Sequence, residues 1–325
     1  MKKITVMIPT YNEEENIMDA YHRTTAVLQK YAGRYEYEIM FVDNFSKDRS
    51  REIITDLCNK DKRIKAIFNA KNFGYSRSLY YGLTQAEGDC AVLLHADLQN
   101  PPEVMEEFIE HWEKGYKVVI GIKNKSRENP LMYFIRSCYY KLMKHISEIE
   151  QIEHFTEYEL LDRSFLEVLK QIDDPMPYLR GIVSEFGFQM KRVYFTQEKR
   201  KKGKSFANFF KSYDFAMLGI TSYSKIVMRM ATMLGFVCSL TSTVIAIAIF
   251  ISKILRWNDF DPGIAAIGVG VFFLGSIQLF FIGFLGEYVL NINIRVMHRP
   301  LVIEACRINF EQEKQKIPVE NKKQK

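Results

Sequence analysis

The segment His95-Ala96-Asp97-Leu98-Gln99-Asn100-Pro101-Pro102-Glu103 follows a short apolar run, Cys90 to Leu94, which reads as a buried strand. An acid at the end of such a strand sits where open α/β sheets bind ligands. A carboxylate there can hold Mg²⁺ or Mn²⁺ against a nucleotide diphosphate, because hard cations take oxygen ligands and Mg²⁺ shares its shell with phosphates. The proline pair then starts a helix. Taken alone, the segment is equally a surface turn with an incidental aspartate. Three further segments, Pro9-Thr10-Tyr11-Asn12-Glu13, Val42-Asp43-Asn44-Phe45-Ser46 and Lys71-Asn72-Phe73-Gly74, each follow a predicted strand. Asp43 can accept hydrogen bonds from a uracil or guanine edge, Tyr11 can stack on a base or ribose, and Gly74 permits a tight turn into a helix. Each has a plain alternative: packing for Tyr11, a helix cap for Asp43, a solvated charge for Lys71. Four such segments at four successive strand ends point to one site.

The elements that must position them alternate. Strands are predicted at Ile4–Ile8, Tyr37–Val42, Ile64–Phe68, Cys90–Leu94 and Val118–Ile120, with helices at about Glu14–Tyr31, Arg49–Asn59, Tyr75–Ala86 and Pro102–Lys114. Alternation of this kind implies βαβ units and a mostly parallel sheet. The second half changes character. Met230 to Ser252 and Gly263 to Gly286 are uncharged apolar runs, each long enough to span a bilayer. The short connector between them predicts an antiparallel two-helix hairpin. Lys225 and Arg229 before it, and Arg295, Arg299 and Arg307 after it, favour cytoplasmic termini. Residues 131–146 and 206–217 mix aromatic and basic residues at helical spacing, which suits a membrane interface.

The division expected is therefore a cytoplasmic catalytic domain over 1–225, spans within 226–290, and a cytoplasmic tail over 291–325, frayed after Phe310. The location is the cell membrane, multi-pass. Of 325 residues 47% are hydrophobic, ample for a core and about two units. The net charge of +6 suits a membrane surface or an anionic substrate. Five cysteines without a CxxC pair argue against a disulfide framework or a zinc site. The N-terminal apolar stretch is too short for a signal-peptide core. Nucleic-acid binding is disfavoured, since the one basic cluster is short and lies beside membrane-facing segments. Two spans without internal charge offer a transporter no pathway.

From IPTYNEEENI through HADLQNPPE, LLDRSFLEVL and YLRGIVSEFGF to EYVLNINIRVMHRP, the chain resembles the family 2 glycosyltransferases, and within them the polyprenyl-phosphate group that includes dolichyl-phosphate mannose synthase. The resemblance implies a Rossmann-like α/β nucleotide-sugar fold of the GT-A type and an inverting transfer from a UDP- or GDP-linked sugar. It also implies a divalent metal, Mg²⁺ or Mn²⁺, and a polyprenyl phosphate acceptor in the membrane. A homo-oligomer is compatible with it. By position it puts Pro9, Tyr11, Glu13 and Asp43 at the nucleotide, with Lys71, and Asp97 at the metal, with Gln99 in the same motif. It puts Arg136 at the acceptor phosphate, Arg200, Lys202 and Lys204 at the diphosphate, and Glu157 where a catalytic base stands.

Three positions depart from the family pattern. His95 replaces the first acid of Asp-x-Asp: either it contacts ribose or metal in that acid's place, or Asp97 suffices. Glu157-Tyr158-Glu159 replaces Asp-Phe-Arg, and Asn44 replaces a second acid beside Asp43. A lipid phosphate is largely a dianion at neutral pH, its second pKa being about 6, so it needs little help from a base. Glu157 can then position the acceptor instead of removing a proton. The rival readings are transfer to another membrane acceptor, and a noncatalytic nucleotide-binding scaffold. A processive synthase would show more spans and a QxxRW-like motif, and neither is found.

Overall fold

The computed structural model describes residues 1–124, 152, 155–198, 217–218, 233–238, 240–241, 244, 247–248, 251, 254–255, 264–297 and 299–310. The expected helix at 131–146, most of that at 206–217, and the candidate residues Arg136, Arg200, Lys202 and Lys204 lie outside these.

Nine-residue β1 (Lys2–Thr10) and β2 (Tyr35–Asp43) run side by side in parallel, with β3 (Ile64–Asn69) beyond β2 and β4 (Cys90–Leu93) on the other flank of β1. These four strands, all but free of charge on their inner positions, are buried on both faces, as crossover helices require. The helices between them are α1 (Ile17–Gln29), α2 (Ser50–Lys60) and α3 (Tyr75–Thr84). α4 (Met105–Glu113) follows the Pro102–Val104 turn and leads to β5 (Val118–Lys123). To this point the elements are those expected, with α1 starting later because Asn16 and Ile17 both donate backbone N–H groups to the Glu13 carbonyl.

The rest adds two antiparallel strands, β6 and β8, to the mostly parallel sheet that was expected. β6 (Phe155–Asp162) inserts antiparallel between β4 and β5, and β7 (Met190–Phe195) adds to β5 in parallel. Between them stand α5 (Arg163–Gln171) and α6 (Leu179–Glu185). The last strand, β8 (Glu304–Ile308), pairs antiparallel with β3. The eight-stranded sheet reads β7-β5-β6-β4-β1-β2-β3-β8. α1, α2 and α4 pack on one face through Val27, Ile54 and Phe108, and α3, α5 and α6 on the other through Leu83, Phe165 and Ile182.

Residues 291–325, expected as a tail, thus divide. α7 (Ile264–Val296) runs past the Gly286 end expected of the second span. Residues 299–310 then return to the sheet, and β8 covers the β3 edge that would otherwise stand open. Asn309 secures the strand's end by donating to the Cys58 and Ile64 carbonyls. Phe310 lies over Lys65, a buried cation neutralised by Glu38 and Glu87. Within α7 the stretch Ile277–Val296 is long and apolar enough to cross a membrane, and none of it is buried. Among the described residues it is one such helix; those described between 233 and 255 are helical and mostly exposed.

A bulge shapes β6. Glu159 pairs with Ile120 but Phe155 with Ile122, so β6 carries two extra residues there and Glu157 takes φ +57°. Bulges re-aim side chains next to functional sites. Opposite it, a Cβ on Gly121 would meet the Tyr158 carbonyl at 3.1 Å and the Phe195 ring at 2.9 Å. Gly121→Ala is expected to lower stability by about 1–3 kcal/mol through overpacking, read as a lower thermal midpoint in detergent; an unchanged midpoint would contradict this packing.

Candidate active site

The strand order reverses between β1 and β4: from β1 the chain builds outward to β2 and β3, then returns to place β4 on the other side. Crevices at such a switch point, beyond the carboxyl ends of the strands, bind ligands. The loops after β1 and β4 flank it, carrying Pro9 to Glu13 and His95 to Gln99. All the described candidate residues except Glu157 lie at this end of the sheet, Pro9 and Asp43 in the last residues of β1 and β2 and the others on the loops that follow the strands.

The loops are held by side chains bonding to backbone. Asn12 donates its backbone N–H to Ser46 Oγ and its Oδ1 accepts from Lys47 N. Glu13 donates its N–H to Ser50 Oγ. Asn44 Nδ2 donates to Asn72 Oδ1 and to the Gly74 carbonyl, while its Oδ1 accepts from Asn69 Nδ2 and Phe73 N. Asn44, where a second acid was expected, is therefore the pin of the 71–74 loop. Gly74 enters α3 at φ +90°, a conformation an L side chain resists. Lys71 is exposed, its ammonium 5.1 Å from the Phe73 ring.

Strain concentrates here. Among the described residues five non-glycines have left-handed φ, and four of them are Asn12, Phe45, Leu98 and Glu157. Each costs about 1–3 kcal/mol, and such residues persist where surrounding structure over-determines them.

Asp43 is occupied: its carboxylate, 1% exposed, accepts from Arg51 Nε at 2.6 Å and from the Phe45 and Ser46 amides. A base edge reaching Asp43 would compete with Arg51. Asp97 is half-buried, and its Oδ1 accepts from Gln99 N at 3.2 Å. Gln99 is fixed in turn by Gln197 Nε2 and Glu198 N. No cluster of three metal-ligating side chains occurs among the described residues. One carboxylate with substrate phosphates and water nonetheless fits Mg²⁺, which seldom uses an all-protein cage. His95 Nε2 is buried without a partner, an orphan that a bound ligand would satisfy.

Glu157 is the centre of a separate constellation that the sequence reading did not assemble. It is 4% exposed. Arg180 Nε donates to its Oε1 at 2.8 Å and the Tyr75 hydroxyl to its Oε2 at 2.6 Å. Tyr75 stacks on His95, ring centroids 6.1 Å apart, which links Glu157 to the loop carrying Asp97. Burial pushes the Glu157 pKa up, but the Arg180 charge, the Tyr75 hydrogen bond and His95 more than offset it and hold the carboxyl below its ordinary value. Burial and the Glu157 charge keep the Tyr75 phenol well above its own, so it remains a donor. In the sequence Tyr75 was visible only as the first residue of the expected helix after Gly74, and Arg180 only as the arginine of YLRG.

Glu159, two residues on, is fully buried, and neither carboxyl oxygen has a hydrogen-bond partner. Burial first, and then Glu157, drive its pKa well above the ordinary 4.5, so it is a neutral acid. A group that keeps its proton in the folded state and loses it in the unfolded one destabilises the fold as pH rises above 4.5. Glu159→Gln is therefore expected to gain on wild type as pH rises above the ordinary 4.5, by up to about 1.4 kcal/mol per pH unit. Parallel chemical-denaturation curves at each pH are the check; a constant difference would place the proton elsewhere.

The model of glycosyl transferase family 2 matches residues 5–187. A glycosyltransferase of Synechocystis, itself uncharacterised, is 30% identical over 302 residues, 93% of this chain and 94% of its own. The bactoprenol glucosyl transferase of Shigella phage SfV is 32% identical over 302 residues, 93% and 97% of the two chains. Among solved structures, glucosyl-3-phosphoglycerate synthase from Mycobacterium tuberculosis, in complex with Mn²⁺, UDP-glucose and phosphoglyceric acid, is 13% identical, with a TM-score of 0.44, 68% of this chain and 78% of that one being covered.

Proposed function

This chain belongs to the family 2 glycosyltransferases, and on that premise we propose that it moves a sugar from a nucleoside-diphosphate donor to a polyprenyl phosphate at the membrane. The acceptor reading is carried by one observation. The exposed apolar helix α7 ends at Arg295 on Asp174, in the loop that leads into the helix bearing Arg180. The Glu157 site thus stands at the foot of a surface suited to lipid. The bactoprenol transferase of phage SfV, similar over nearly its whole length, supports the same acceptor. The finer topology we infer is a two-helix hairpin, the first helix over 230–252, with catalytic domain and both termini on the cytoplasmic side. Residues 299–310 join the sheet, so the end of α7 lies on the catalytic domain's side.

In the reaction a phosphate oxygen of the acceptor bonds to the anomeric carbon as the bond from that carbon to the donor diphosphate breaks, with inversion. Alignment and neutralisation of the departing charge are the hard requirements. Tyr11, Glu13 and Asp43 with Arg51 surround the nucleoside side of the crevice, and Lys71 and His95 border it. Asp97, steadied by Gln99, would hold a divalent cation against the donor diphosphate, where it would neutralise charge developing on the leaving group. Arg136, Arg200, Lys202 and Lys204 belong to the same proposal, as ligands of acceptor phosphate and diphosphate. Glu157 is ill-suited to deprotonate a phosphate. Its pKa is held below 4.5, far from a second phosphate pKa of about 6. Its role is to fix Arg180 and Tyr75 beside the acceptor.

The test is to incubate membranes holding the protein with labelled UDP- and GDP-sugars and undecaprenyl or dolichyl phosphate, then extract the lipid. Label is expected in the lipid phosphate for one donor, and is expected to vanish with chelator. Asp97→Asn should lower turnover by about 100-fold with the thermal midpoint unchanged. No lipid label with any donor would overturn the acceptor reading; full activity in Asp97→Asn would overturn the role of Asp97.

A further inference from the structure

Both hydrogen-bond partners of Glu157 sit on elements gripped by the segment that follows the apolar helix. Tyr75 opens α3. The backbone N–H of Ala70, just before its loop, donates to the Ile303 carbonyl at 2.9 Å. Two residues past Tyr75, Arg77 Nη2 donates to the Pro300 carbonyl at 2.8 Å. One turn further, the Tyr81 hydroxyl donates to Glu304 Oε1 at 2.8 Å, and Arg307 pairs with the same carboxylate. Arg180 opens α6. The loop before it carries Asp174, which takes Arg295 Nη2 at 3.1 Å, and Leu301 packs on the apolar face that holds Leu179 and Ile182.

We propose that residues 295–310 are a positioning strap: they hold α3 and the α5–α6 loop together so that Tyr75 and Arg180 meet on the Glu157 carboxylate. This goes beyond anchoring. A simple tether needs the β3–β8 ladder alone, whereas here side chains run from the strap to the two elements whose first turns complete the constellation. Glu157 itself sits in a strained bulge at φ +57°, a geometry that relaxes unless its partners are kept in place. The strap begins at the last turn of α7, so the seating of that helix and the arrangement at Glu157 are mechanically one. Arg295, Asp174, Tyr81 and Glu304 act through Tyr75 and Arg180; none of the four contacts Glu157 in the bonds described.

Two measurements on the full chain in detergent test this. The variants are Asp174→Asn and Tyr81→Phe, singly and combined, with Arg295→Lys as the conservative control. Hydrogen exchange is expected to quicken in residues 70–82 and 174–185 while 9–14 and 42–48 stay as in wild type. No change in the first two segments, or equal loosening of all four, overturns the strap. The kinetic measurement rests on the acceptor reading above and uses undecaprenyl phosphate. The double variant should lose roughly three- to tenfold in kcat with donor KM within about twofold, and Arg295→Lys should keep most activity. In a Glu157→Gln background the same substitutions should lose nothing further, because their route has been removed. A full additive loss there overturns the proposal. If wild type transfers no sugar to the lipid, the acceptor reading fails, and the exchange result alone decides the strap.

Discussion

A carboxylate taken out of water must keep its charge beside a partner or give the charge up. β6 carries one of each, two residues apart. Glu157 remains ionised because Arg180 and Tyr75 take both its oxygens. Glu159, with neither oxygen bonded, stays neutral, and the charge on Glu157 is part of the reason. The bulge, the missing Cβ of Gly121 and the first residues of α3 and α6 all follow from seating the charged one. Restoring an arginine at 159, the family pattern, would put a second cation into a site already balanced by Arg180.

Around that pair the sheet edge is preorganised mainly by hydrogen bonds between loops. Asn12, Asn44 and Asn72 each satisfy backbone groups of a neighbouring loop or of their own, an arrangement short amides favour. The left-handed residues Asn12 and Phe45 occupy two of these loops, and Leu98 the loop after β4. The loops after β1, β2 and β3 are therefore held to one another before any ligand arrives, while the surroundings of Glu157 involve α3 and α6.

The first half of the fold was legible because its signals are local. Apolar runs bounded by polar turns located β1 to β5 to within a few residues, and Pro101-Pro102 marked the start of the helical turn leading into α4. β6 escaped because its inward positions include Glu157 and Glu159, which break the alternation that reveals a strand. β8 escaped because Glu304, Cys306 and Arg307 read as polar tail; it is a strand only by virtue of β3 beside it. α7 outran its apolar stretch because helix persists through Asn291, Asn293 and Arg295 after hydrophobicity fades. The strand-end positions of Asp43 and Asp97 could be read from the sequence, but Arg51 as partner of Asp43, and Tyr75 and Arg180 as partners of Glu157, arise from pairings the linear order does not display.

The β3–β8 pairing has a consequence for synthesis. Asn309 reaches back 251 positions to Cys58 and 245 to Ile64. Strands β1 to β7 can assemble as they leave the ribosome, but the β3 edge must wait until residues 304–310 have emerged, after the whole of the apolar helix α7. Throughout that interval the nascent domain shows an open, parallel-paired, apolar edge of the type that captures other chains. Closure of the sheet thus follows the synthesis of α7, and a chain in which that helix is misplaced leaves the β3 edge open, a defect visible to the machinery that clears failed proteins.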